Sequence, residues 1–140
     1  MDIEIVQKRK SLLPKWIKFF GWLFIIISVL IPINIILTPF LDLEMSYEIF
    51  GLIYVGSGFD LMALVIQLLI IFTGFSAYSL LFGKDWGVNI CLINGYLGLV
   101  LCITSMILSG FTMFRLEPII QIPYLIKLHK IKKDWDISDN

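Results

Sequence analysis

Charge is what this chain has least of. Asp, Glu, Lys and Arg together make up 16% of its 140 residues, against about 25% in soluble domains. Histidine occurs once, at His129. One imidazole cannot give a membrane haem two axial ligands or zinc its three or four. At the lysine-rich end K-L-H-K-I-K-K it reads as a solvated or headgroup contact. The only cysteines are Cys91 and Cys102, which do not form a CxxC pair. On one helix they would lie about 16 Å apart, too far for a disulfide, so a quinone-linked thiol oxidase is excluded. There is no G-x-S-x-G elbow, no HExxH helix and no phosphate-binding glycine loop. Paired carboxylates with an accompanying base at membrane depth are also missing. No nucleophile is specified, and no metal or cofactor is implied.

What the chain has instead is apolar surface, with hydrophobic residues at 59%. A soluble fold of this length could not hide so much, whereas a bilayer can. The expected class is therefore an all-α integral membrane protein. Four apolar segments predict helices over 16–37, 61–82, 87–108 and 112–131, packed as a four-helix bundle in one membrane domain.

Positive and negative charges balance overall but are segregated. Lys8, Arg9, Lys10, Lys15 and Lys18 precede the first apolar run, and Lys127, Lys130, Lys132 and Lys133 follow the last. Asp42, Glu44, Glu48 and Asp60 fall in the connection 39–60, which holds no basic residue. Basic flanks of this kind fix orientation by the positive-inside bias rather than binding nucleic acid. The fourth segment contains Arg115, Glu117, Gln121, Pro118 and Pro123 and is only marginally apolar. Four crossings nevertheless leave every basic residue except Arg115 in the cytoplasm. Both termini are thus expected to be cytoplasmic, in a multi-pass cell-membrane protein (inner membrane in a didermic bacterium). The N-terminal run has no A-x-A-like site after it and reads as an uncleaved signal anchor.

Within these segments Trp16, Phe19, Phe20 and Trp22 form an interfacial belt, Pro32 is expected to kink the first helix, and Pro39 to help stop it. The aromatic and acidic connection 39–60 suits an interfacial helix on the outer surface. Gly83-Lys84-Asp85-Trp86 reads as a tight cytoplasmic turn, and the tail from Asp134 as frayed.

Small and polar residues recur on the third helix at Gly87, Cys91, Asn94, Gly98, Cys102, Ser105 and Ser109. At about 100° per residue they fall in a stripe roughly 80° wide, opposite Ile93, Leu97, Val100, Ile103 and Ile107. Small residues let helices approach closely in lipid, so the stripe is read as a helix-packing seam. Its alternative is the wall of a small polar pathway, which Asn94 keeps open. Gln67, beside Ala63, Gly74, Ala77 and Tyr78 on the second helix, is the expected hydrogen-bond partner of a polar group on the third. Arg115 and Glu117 are the ionisable groups within a span, read as interfacial anchors or as groups that handle a ligand or ion. Arg115 is also within reach of Asp60 or a lipid phosphate by snorkelling.

With its short G-K-D-W turn and basic tail, the chain is similar in outline to many small four-span bacterial membrane proteins, without a motif that ties it to a family. The function expected is that of a non-catalytic subunit, assembly factor or scaffold in a homo- or hetero-oligomeric membrane complex. The alternatives are an oligomeric transporter or pore for a small solute or ion and, more remotely, a membrane-embedded enzyme.

Overall fold

The computed structural model describes residues 3–41, 45–56, 58–109 and 117–137. They form helices α1 (Ile3–Leu12) and α2 (Lys15–Leu41), a hairpin of β1 (Met45–Ile49) and β2 (Leu52–Gly56), and helices α3 (Leu61–Leu81), α4 (Gly87–Leu108) and α5 (Glu117–Ile137). Among the described residues three helical stretches are long and apolar enough to cross a membrane: Lys15–Leu37, Leu61–Leu81 and Gly87–Leu108. Their outward faces carry large apolar side chains, among them Phe19, Ile36, Leu68 and Val100, each more than half exposed. Such a surface would drive association in water, and lipid covers it.

Several expectations need correction. The polar N-terminus is not featureless: it forms α1, with Glu4 in its first turn and Arg9 and Lys10 in its last, charges that complement the helix dipole. Pro14 disfavours helix at the residue before it, and the Pro14 carbonyl accepts the Lys18 amide at 3.2 Å as α2 begins. Helix α2 then runs through both Pro32 and Pro39 to Leu41, so Pro39 does not end it. Helix α3 stops at Leu81, one residue short of the expected limit, while α4 has the limits read from the sequence. Helix α5 continues to Ile137 rather than 131, so the expected frayed tail is helical through that point. Residues 110–116, where the fourth segment was expected to begin, lie outside the described residues, as do 138–140.

The fold is not all-α either. The segment expected to be an interfacial helix contains the antiparallel hairpin, in register Ile49↔Leu52 and Tyr47↔Tyr54. Its two-residue turn, Phe50-Gly51, has positive φ at both positions (49° and 83°), the handedness that matches strand twist. Glycine adopts this readily, but phenylalanine does not. Phe50 is buried beside Gly98, and that packing offsets the backbone cost. On leaving the hairpin, Tyr54 donates its hydroxyl proton to Asp60. That hydrogen bond, then burial and the carboxylate charge, hold the phenol above its ordinary pKa.

The helices pack in chain order, α2 on α3, α3 on α4 and α4 on α5, with the hairpin against α3 and α4. One apolar cluster lies near the 82–86 turn and draws on Leu13, Ile17, Leu80, Val88, Leu125 and Leu128. A second, around Ile31, Tyr47, Ala63, Ile66 and Ile70, lies under the hairpin. Helix α3 ends in a Schellman motif: Gly83 N–H donates to Leu80 O at 3.2 Å and Lys84 N–H to Ser79 O at 2.9 Å. Gly83, at φ 69°, supplies the left-handed residue this motif requires.

At this turn end the chain closes on itself. Arg9 is fully buried. Its Nη1 donates to Gly83 O at 3.1 Å and to Asp85, and its Nε lies 3.4 Å from Trp135 O. The guanidinium also stands 5.8 Å from the centre of the Trp135 ring, a cation–π distance. Trp135 in turn donates Nε1–H to Lys84 O at 3.0 Å. One arginine therefore joins α1, the α3–α4 turn and the last turns of α5.

Candidate functional site: a cleft between the first and last long helices

The polar residues of α3 mostly bond to their own helix. Ser76 donates to Thr73 O and Ser79 to Ser76 O, each at 2.7 Å. Thr73 Oγ1 lies 2.8 Å from Leu69 O and 3.3 Å from Asn94 Oδ1. Back-bonding of this kind satisfies hydroxyls without a partner helix. Asn94 thus faces Thr73. Gln67 does not serve α4 as expected: its Nε2 donates to Gly58 O at 3.1 Å, beneath the hairpin. Gln67 Oε1 and the Tyr47 hydroxyl are buried there without a partner.

The α4 stripe meets three different neighbours. Near the turn, Gly87 faces α3 backbone, where an added Cβ would come 2.7 Å from Ser79 O. Cys91 Sγ–H points at Ser76 O, 3.1 Å away. Towards the hairpin, Gly98 lies under Phe50 and Gln121, Cys102 donates to Glu117 Oε2 at 3.3 Å, and Ser105 donates to Gly51 O at 2.8 Å. Ser109 donates to Met106 O at 3.0 Å. Ile93, Leu97, Val100, Ile103 and Ile107 are exposed on the opposite face. Both cysteines are buried, and neither is in a disulfide. His129 Nε2 lies 2.7 Å from the exposed Tyr96 hydroxyl, which makes it a surface pair between α4 and α5. Arg115 lies outside the described residues.

Between these elements is a cavity of about 290 Å³. Trp16, Phe20 and Phe24 of α2 line one side, and Glu117, Gln121 and Tyr124 of α5 the other. Thr73, Ala77 and Asn94 form its back, and Glu48, Ile49 and Phe50 of the hairpin lie over one end. At the opposite end Trp16 packs edge-on against Tyr124, ring centres 6.4 Å apart. Ile17, Leu80 and Leu125 fill the space nearby. Helices α2 and α5 are not among the pairs packed along their length. The cavity is therefore a cleft, flanked by Trp16, Phe24 and Ile120, which are exposed. Its wall is mainly aromatic and aliphatic with a few polar groups, the usual make-up of a small-molecule site.

No family model, curated protein or solved structure matches this chain. Its chemistry must be read from the cleft itself. Among the described residues no group of three or more His, Cys, Asp or Glu could hold a metal. Of the residues the sequence singles out, Asn94 and Glu117 both line the cleft, whereas Gln67 does not. Sequence reading gives no site role to Gln121 or Thr73, and takes Glu48 only as part of the acidic connection. A proline-flanked glutamine in a marginal span was the available signal for Gln121.

Gly98→Ile offers a direct check on the roof. Its Cβ would come 2.5 Å from a Phe50 ring carbon and 2.7 Å from Gln121 Nε2, so both side chains must move. Overpacking of this kind costs about 1–3 kcal/mol, and proteolysis within 45–56 should accelerate. Val100→Leu, on the exposed face, should change neither thermal stability nor cleavage. Equal behaviour of the two variants would mean that the hairpin does not rest on Gly98.

Proposed function

We propose that the chain is a four-span membrane protein, with both termini and the 82–86 turn in the cytoplasm. Its role in this proposal is that of a non-catalytic component of a membrane complex that holds a small, largely apolar molecule in the α2–α5 cleft. Topology rests on charge: every Lys and Arg except Arg115 belongs to α1, the start of α2, the 82–86 turn or the second half of α5. Glu48 and Asp60 lie at the hairpin end. The positive-inside bias then makes the turn end cytoplasmic, and α5, antiparallel to α4, becomes the fourth crossing. Reporter fusions after Gly58 and after Asn140 should report outside and inside respectively. A C-terminal reporter on the outer side would rule out four spans.

The observation that carries the ligand-binding role is the form of the cleft. A pathway for a solute would need polar groups along its length. Here Ile17 and Leu80 close one end, Ile49 and Phe50 overlie the other, and the exposed flank faces the surface that lipid would cover. Hydroxyls nearby already bond to backbone, which supports binding rather than chemistry. In nanodiscs, a photoactivatable diazirine alkane should label residues 16–24 and 117–124 saturably. Ala77→Phe, which fills the back of the cleft, should reduce that labelling at least tenfold, and the smaller Ala77→Leu should act in the same direction. Non-saturable labelling spread over all exposed apolar faces would reject the cleft as a binding site.

A further inference from the structure

We propose that the cleft takes an uncharged carbonyl compound whose oxygen accepts a hydrogen bond from the Asn94 side-chain amide. This rests on the ligand-binding role proposed above and adds the chemistry of the occupant. Asn94 lines the back of the cleft and is 7% exposed. Its Oδ1 is turned to the Thr73 hydroxyl, 3.3 Å away. Its Nδ2 has no hydrogen-bond partner among the described residues. Nor is Nδ2 one of the enclosed atoms without a partner, which are Tyr47 Oη, Gln67 Oε1 and Gln121 Oε1. The amide nitrogen therefore meets the open space that its side chain lines. An unsatisfied donor at this depth favours an occupant that brings an acceptor.

The surroundings choose among acceptors. An ammonium offers donors only, so it gains nothing from an N–H₂ group. The carboxyl-bearing Glu48 and Glu117, which would draw a cation, line the hairpin end. Glu117 meets α4 at Cys102, eight residues beyond Asn94 and about 12 Å further along the axis. An anion finds no countercharge, since among the described residues no Lys, Arg or His lines the cleft, and unpaired charge at membrane depth is costly. A hydroxyl also accepts, but it brings a proton that needs a second partner, and a carbonyl brings none. The rest of the wall, chiefly Ile17, Phe20, Phe24 and Leu80, suits an alkyl or ring body. A cavity of about 150 Å³ holds benzene, so about twice that volume holds on the order of twelve non-hydrogen atoms.

The test is competition against the diazirine alkane in nanodiscs, at equal bilayer mole fraction, with 2-undecanone, dodecane and undecylammonium. The three have the same number of non-hydrogen atoms and differ in the polar group. We expect the ketone to compete about fivefold better than dodecane, in the range that one net hydrogen bond supplies, and better than undecylammonium. The carbonyl stretch of the bound, ¹³C-labelled ketone should shift to lower frequency than in the bilayer. In Asn94→Leu, close in shape but without the amide, dodecane should compete as before while the ketone's advantage and its frequency shift disappear. Equal competition by ketone and dodecane in the parent protein would overturn carbonyl recognition while leaving the cleft as an apolar site. Stronger competition by undecylammonium would mean that an acceptor faces the cleft, and would overturn the proposal in favour of a cation. An unchanged ketone preference in Asn94→Leu would remove Asn94 from the site. The parent ranking and the frequency shift stand as tests even if that variant fails to fold. Absence of saturable labelling by the diazirine alkane would reject the ligand-binding role itself, and this proposal with it.

Discussion

Replacing Arg9 by leucine should destabilise the protein by about 2–4 kcal/mol and release α1 from the bundle. The estimate comes from hydrogen bonds to a charged donor, each worth about 1.5–3 kcal/mol when lost from a buried site. Gly83 O and Trp135 O would lose their donor, and the Trp135 ring its cation. Asp85 contributes less, since its side chain is 57% exposed and water can replace the guanidinium there. Asp85→Asn should therefore cost under about 1 kcal/mol, and Arg9→Lys an intermediate amount. An ammonium is a point donor and cannot reproduce a fork that reaches two carbonyls and a carboxylate. Thermal unfolding in mild detergent would rank the three variants, and limited proteolysis near Leu12–Leu13 would report α1 release. If Arg9→Leu were as stable and as protease-resistant as the parent, α1 would be docked by its apolar residues alone.

The arginine clasp also marks where sequence reasoning stops. Lys8, Arg9 and Lys10 are legible as a topological signal because that signal depends on charge alone. Arg9 as a buried anchor is not legible, because its two buried acceptors are backbone carbonyls at Gly83 and Trp135, while Asp85 is largely exposed. Every residue carries a carbonyl, so nothing in the sequence distinguishes those two. Likewise α4 has the expected limits, since hydropathy and the Gly83–Trp86 turn bound it on physical grounds. The hairpin did leave a trace: Ser46 and Glu48 are exposed while Tyr47 is buried and Ile49 half-buried, the period of two that a strand requires. Its turn was harder to see, because Phe50 is an unusual residue at positive φ.

Depth explains the error at Gln67. Helices joined by a tight turn and running antiparallel place residues equidistant from that turn at one level. Ser76 faces Cys91 and Thr73 faces Asn94 in this way. Gln67 lies six residues beyond Thr73, about 9 Å further along the helix axis, and so is level with Val100, which faces outward. The turn was legible, and applied to depth it would have paired Asn94 with Thr73. The cleft is not legible, since it depends on α2 and α5 parting below a hairpin whose segment reads as an interfacial helix.

Gly74→Ala should destabilise the α2–α3 contact despite improving helix propensity. Alanine is worth about 1 kcal/mol more than glycine in a helix interior, so an isolated α3 would gain. In the fold, an added Cβ would collide with Ser28 Cβ and Oγ and come 3.1 Å from Phe24 O. Ser28 Cβ and the Phe24 carbonyl cannot swing aside as Ser28 Oγ can, so the helices themselves must separate. Overpacking costs about 1–3 kcal/mol, occasionally more. Separation also forfeits dispersion contacts that hold helices together where lipid removes the hydrophobic drive. A net loss of about 1–2 kcal/mol is expected for alanine and a larger one for valine. Val65→Leu, on the exposed side of the same helix, should be neutral. Ser28→Gly removes the colliding carbon, so the pair Gly74→Ala with Ser28→Gly should recover most of the lost stability. That coupling is measurable as a double-mutant cycle in detergent. Independent, additive effects of the two substitutions would mean that Gly74 and Ser28 do not touch. The axis of α2 would then lie elsewhere, and so would the cleft it borders.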